Sequence, residues 1–124
     1  MQNYNSKFKI DLKTRCYQFG LEIIILVDKL PNKRAAWIIA DQLLRSSMSI
    51  GANLAEGTAA SSRLEYKKYF EISLKSANES LYWLTVLKDA HFSSDLNTNR
   101  LIQEATELAK MLAAGVIKLK SKNF

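Results

Sequence analysis

Any chemistry in this chain must come from a short set of side chains. Cys16 is the single thiol and His91 the single imidazole. Nucleophilic catalysis needs a base beside the thiol and a group that orients the base, and the sequence pattern gives Cys16 neither. On the apolar seam of a helix, Cys16 reads more simply as a small core residue. Paired carboxylates could support acid–base chemistry, which draws attention to Glu56, Glu71 and Glu79. Di-metal sites in helical bundles also need Glu-x-x-His on facing helices, and Lys88 stands three residues before His91. With one Cys and one His there is no usual zinc set either. No catalytic residue, metal ligand or cofactor is expected. Glu79, flanked by Ser76, Asn78 and Ser80, is expected to join a hydrogen-bond network with Asn53 or Ser47 across the helices. Gly57-Thr58-Ala59-Ala60 lacks the pattern of a phosphate loop and reads as a turn.

Binding chemistry is better represented. Lys7, Lys9, Lys13 and Arg15 interleave with Tyr4, Phe8 and Tyr17, a composition suited to phosphate contacts plus base stacking. It also describes a half-buried helix start whose long cations reach out to solvent. Lys33 and Arg34 make a second basic corner, in a first helical turn where the macrodipole disfavours cations. Lys118, Lys120 and Lys122 make a third. The net charge is +6, carried mainly by residues 1–34 (+4) and 92–124 (+2). Such an excess attracts polyanions through counterion release and long-range fields. These nine cations are the expected nucleic-acid contacts.

The elements that would position them follow from composition and periodicity. A chain of 124 residues supports one domain, residues 1–124. Hydrophobic residues at 48% exclude intrinsic disorder, and 4 Gly with 1 Pro are too few turns for an all-β fold. The N-terminus lacks a signal-peptide core, and apolar runs such as Ile23 to Val27 fall far short of a membrane span. A cytoplasmic, mostly helical protein with no membrane role is expected.

Four helices are predicted, at about 9–29, 33–56, 63–90 and 99–120. The first carries the seam Leu12, Cys16, Phe19, Ile23, Leu26 and Leu30, stopped by Pro31. The second is expected to start from an Asn32 cap and end on Gly57 in the left-handed conformation. Its seam is Ala36, Ala40, Leu43, Ser47, Ile50 and Leu54. Ser62 and Glu65 form a capping box for the third, whose inward residues are Tyr66, Phe70, Ser73, Ala77, Leu81, Leu84 and Leu87. Leu101, Ala105, Leu108, Leu112, Gly115 and Leu119 make the seam of the fourth. Short loops between helices of this length predict an all-α, antiparallel up-down-up-down bundle.

More apolar residues are present than one such bundle needs. Leu21, Ile24, Ile25, Trp37, Met48 and Trp83 fall outside the main seams. A soluble monomer rarely leaves so many in water, so these six are the expected interface of a homo-oligomer.

The segment Gln42-Leu43-Leu44-Arg45-Ser46-Ser47-Met48-Ser49-Ile50-Gly51-Ala52-Asn53-Leu54-Ala55-Glu56-Gly57 resembles the signature of the small four helix bundle protein family. That family includes proteins encoded in ribosomal-RNA intervening sequences, and the accessory variability protein of diversity-generating retroelements shares its fold. The pattern continues through Ser62, Glu65-Tyr66, Tyr69-Phe70, Ser76 and Glu79. Ser46-Ser47 replaces a usual Ala pair, and Leu81 stands where a second Glu is common. The resemblance implies a bundle assembling into a ring-like homopentamer without enzymatic activity. In the retroelement branch it also implies a basic pentamer that binds RNA or DNA and docks onto a reverse transcriptase. Asn53, Glu56, Gly57 and Glu79 are expected to serve packing: Asn53 and Glu56 as polar pins, Gly57 as a cap. Two functions follow as expectations, a nucleic-acid-binding oligomer and a protein–protein interaction scaffold without a nucleic-acid role.

Overall fold

A computed structural model describes residues 11–120, which form four helices and, among the described residues, no strand. They are α1 (Leu12–Asp28), α2 (Arg34–Gly57), α3 (Arg63–Asp89) and α4 (Leu96–Lys120). Each start has a local cause. Asp11 caps α1 by accepting from the Thr14 backbone N–H at 3.0 Å. Ser62 caps α3 by accepting from the Glu65 N–H, and Glu65 Oε1 reaches back to the Ser61 N–H at 2.7 Å, one residue earlier than the capping box predicts. Asp95 accepts from Thr98 N–H at 2.9 Å and sets α4 going at Leu96, three residues before the expected Asn99. The N-cap of α2 is Lys33, whose side chain caps nothing, in place of the expected Asn32.

Cross-helix pairs fix the topology. Gly20 faces Met48 and Cys16 faces Gly51, so α1 and α2 run antiparallel. Ser46 meets Ser80 and Ser49 meets Ser76, while Arg63 reaches Lys118 and Phe70 lies against Gly115. Arg15 meets Glu104 and Arg100 meets Glu22, closing α4 onto α1. Each helix thus packs on its neighbours in chain order and α4 returns to α1. That is the up-down-up-down bundle.

The core is one apolar cluster with Phe19, Ile23, Leu43, Ile50, Leu84, Leu87, Leu101, Leu108 and Leu112 fully buried. Between α2 and α3 it gives way to serines. Ser46 and Ser80 hydroxyls lie 2.8 Å apart, and Ser73 Oγ donates to the Ile50 carbonyl at 2.9 Å. Small side chains whose buried hydroxyls are hydrogen-bonded let these helices approach closely.

Two glycines differ from expectation. Gly57 has no positive φ and is the buried last residue of α2, with Thr58 as the C-cap. It is glycine because an added Cβ would lie 3.1 Å from both Tyr66 and Tyr69. Gly115 does not sit on the core seam; Val116 does, and Gly115 instead makes room for the Phe70 ring. The left-handed residue is His91 (φ 62), at the end of α3. There the Phe92 N–H bonds the Leu87 carbonyl at 2.9 Å and the His91 N–H bonds Lys88 at 3.0 Å, the paired bonds of a Schellman motif.

Candidate nucleic-acid interface

The antiparallel topology brings the start of α1, the end of α2, the start of α3 and the end of α4 together. Within about two helical turns of that end, the described cations are Lys13, Arg15, Arg63, Lys67, Lys68, Lys118 and Lys120. The described acids there are Asp11, Glu56 and Glu65. At the opposite end Lys29, Lys33, Arg34, Lys88 and Arg100 are matched by Glu22, Asp28, Asp41, Asp89 and Asp95. One end is therefore basic and the other balanced. Lys7, Lys9 and Lys122 lie outside the described residues, but in sequence they flank the basic end and supply half of the net charge.

The expected contacts separate on this map. Lys13, Lys118 and Lys120 are exposed and share the basic end. Lys33 and Arg34 are exposed at the other end, roughly 35 Å away along the 24 residues of α2, so the three corners do not form one patch. Arg15 is half-buried and engaged within the bundle. Its guanidinium donates to Glu104 at 2.6 and 3.0 Å and to Glu107 at 2.9 Å. The hydrogen bonds to Glu104, outweighing burial that pulls the other way, hold it above the ordinary arginine range. A cation committed in this way ties α1 to α4 and has little left for a phosphate. Lys67, similarly, lies 3.4 Å from Glu71. Arg63 and Lys68, which join the basic end from α3, were invisible to sequence reading because only the folded register sets α3 beside the end of α4.

The polar pins are also rearranged. Glu79 is exposed and accepts from Trp83 Nε1 at 3.0 Å, so it does not meet Asn53 or Ser47. Asn53 Nδ2 instead donates to Ser49 O at 2.8 Å and Ser49 Oγ at 2.9 Å, and Ser76 donates to the same hydroxyl from α3. Glu56 is exposed at the basic end. The pattern placed Glu79 one turn from Trp83 but gave no hint of that local bond.

Of the six expected interface residues, Leu21, Ile24, Ile25, Trp37 and Met48 are exposed, Trp37 by 59%. Trp83 is half-buried and packs against the core, so it is not a free surface residue. Leu21 and Met48 border an apolar groove of about 410 Å³ between α1 and α2, with Lys13, Tyr17, Ala52 and Ala55 also on its walls. Ile24, Ile25 and Trp37 continue the apolar surface towards the balanced end.

Cys16 is buried, and burial pushes its thiol up to about 12, with Glu104 adding to the shift. At neutral pH it is a thiol, unsuited to nucleophilic attack. Among the described residues no cluster of three His, Cys, Asp or Glu could hold a metal ion. No described helix is long and apolar enough to cross a membrane.

Comparison with known proteins adds a family to this geometry. A family model described as 23S rRNA-intervening sequence protein matches residues 9–114. Among solved structures, the chain is similar to a protein with unknown function from the S23 ribosomal protein family from Bacteroides thetaiotaomicron VPI-5482. The two share 31% identity with a TM-score of 0.79, over 86% of this chain and 98% of that one. No curated protein matches.

Proposed function

Since the chain belongs to the 23S rRNA-intervening sequence protein family, we propose that it is a non-enzymatic, homo-oligomeric bundle that binds nucleic acid through its basic end. The observation that carries this reading is the segregation of charge. With Arg15 and Lys67 set aside because they pair with Glu104, Glu107 and Glu71, five described cations against three acids gather where α1 starts and α4 ends, whereas the far end is balanced. In the sequence alone, residues 1–10 and 121–124 carry Lys7, Lys9 and Lys122 and no acid. Such a surface gives affinity for a phosphate backbone without demanding a base sequence.

Self-association is supported by the exposed apolar strip on α1 and α2. Ile25 is 54% exposed and Trp37 59%, and neither can be covered from within one bundle. A ring of copies, five in the sequence resemblance, would cover this strip and repeat the basic end, so that weak phosphate contacts add up. An accessory role beside a reverse transcriptase or another nucleic-acid enzyme is the setting this reading carries over from that resemblance. The groove between α1 and α2 favours a second reading, a scaffold that receives a partner protein and uses its charge only for solubility.

Solution mass combined with binding separates them. The proposal expects a multimer that binds RNA or DNA at about 50 mM salt, weakened by Lys118→Glu with Lys120→Glu and little changed by Lys33→Glu with Arg34→Glu. A 14 kDa particle would remove the oligomer, and absence of binding would leave the scaffold.

A further inference from the structure

The groove between α1 and α2 opens at the basic end, and there its walls change character. Lys13 and Tyr17 stand one turn apart on α1, a spacing that puts both on one face. From α2 the groove is lined by Ser47, Met48, Gly51, Ala52 and Ala55. Beneath, an added Cβ at Gly51 would lie 3.6 Å from the Cβ of Cys16, so the two helices approach closely there. Tyr17 is 68% exposed and shares the groove with the small residues Gly51, Ala52 and Ala55 and with Met48. The volume, about 410 Å³, falls within the roughly 300–1,000 Å³ that small organic groups occupy.

We propose, resting on the nucleic-acid reading of the basic end, that this mouth receives an unpaired nucleobase of a single strand. The base stacks on Tyr17 while Lys13 contacts the neighbouring phosphate. Base–aromatic stacking needs an open ring face beside a cationic track, and the Lys13 and Tyr17 pair supplies both, with Lys118 and Lys120 on α4 at the same end of the bundle. A duplex keeps its bases stacked inside and would meet only the cations. The other strongly exposed tyrosine, Tyr82, lacks this setting. It stands in T-shaped contact with Trp83, centroids 4.9 Å apart, on the face that carries Glu79, a carboxylate that repels phosphate.

The test measures binding of one labelled single strand and of a hairpin duplex of equal phosphate number. The proteins are the full chain and its Tyr17→Ala, Tyr17→Phe and Tyr82→Ala variants. Tyr17→Ala should lose about 5- to 100-fold in affinity for the single strand and almost none for the duplex. Tyr17→Phe, which keeps the ring, and Tyr82→Ala should stay close to the parent. Unchanged single-strand affinity in Tyr17→Ala overturns the stacking site, and persisting duplex affinity would then leave the basic-end reading standing. A change in solution mass without a change in affinity overturns it too, making the groove mouth a contact between copies. If the parent chain binds neither probe, both readings fall.

Discussion

Arg15 and Lys13 carry the same charge two residues apart, and the structure assigns them opposite consequences. Arg15→Gln removes a guanidinium that spans Glu104 and Glu107 at 2.6 to 3.0 Å, with only 23% of its side chain exposed. Surface pairs contribute about 0.2–1 kcal/mol, and bonds to charged groups in partly buried sites reach roughly 1.5–3 kcal/mol. Glu107, half exposed, adds little. Loss of the bidentate Glu104 pair, which also leaves two carboxylates side by side, should cost about 1–2 kcal/mol. For a domain of this size that lowers Tm by about 4–8 °C. Lys13→Gln, on an exposed rim, should leave Tm within about 2 °C and weaken nucleic-acid binding instead. Thermal melting followed by circular dichroism reads the first effect, and fluorescence anisotropy with labelled RNA reads the second. A cycle with Glu104→Gln should show coupling in stability and none in binding. If Arg15→Gln melted like the parent and lost RNA affinity as Lys13→Gln does, the assignment of Arg15 to the α1–α4 tie would be wrong.

Other perturbations probe the frame that positions the basic end. Gly115→Ala should destabilise by about 1–2 kcal/mol, because overpacking against Phe70 outweighs the gain in helix propensity; Phe70→Leu in the same chain should recover most of the loss in chemical denaturation. His91→Gly should raise stability by about 1 kcal/mol, since φ 62 strains any residue with a Cβ, and a lower denaturation midpoint would contradict the Schellman geometry. Asp11 and Asp95 accept backbone N–H bonds from Thr14 and Thr98, which lowers both carboxyls below 3.8. Their contribution is complete above that value and is lost as pH falls through the folded pKa values. Asp11→Asn with Asp95→Asn should therefore flatten the acid limb of the Tm profile below about pH 4.

The four helices were legible because apolar residues repeat at three and four, and that repeat survives folding unchanged in Phe19, Ile23, Leu43, Ile50, Leu108 and Leu112. Boundaries were less legible where the caps competed. Leu96 is exposed and gives no periodic signal, so the start of α4 depended on seeing Asp95 as a cap. The Gly57 signal was ambiguous in kind, since a helix end and a close approach of two tyrosines both call for glycine. The candidate site was legible only in part. Lys13, Lys118 and Lys120 could be proposed from charge alone, but their shared location needed the antiparallel register. Arg15 misled for the same reason, because its partners lie on a helix far along the chain. Glu79 misled in the opposite direction, as its partner Trp83 was one turn away on its own helix.

The central claim is that the end where α1 starts and α4 finishes grips a phosphate backbone. Affinity for a single-stranded RNA, followed from about 50 to 200 mM salt, tests it most directly. Each neutralised phosphate contributes about −0.7 to the slope of log affinity against log salt. The parent chain should show a slope steeper than about −2, and Lys13→Gln with Lys118→Gln and Lys120→Gln should make it shallower by about 2. A flat salt dependence, or the same slope in both proteins, would contradict the claim.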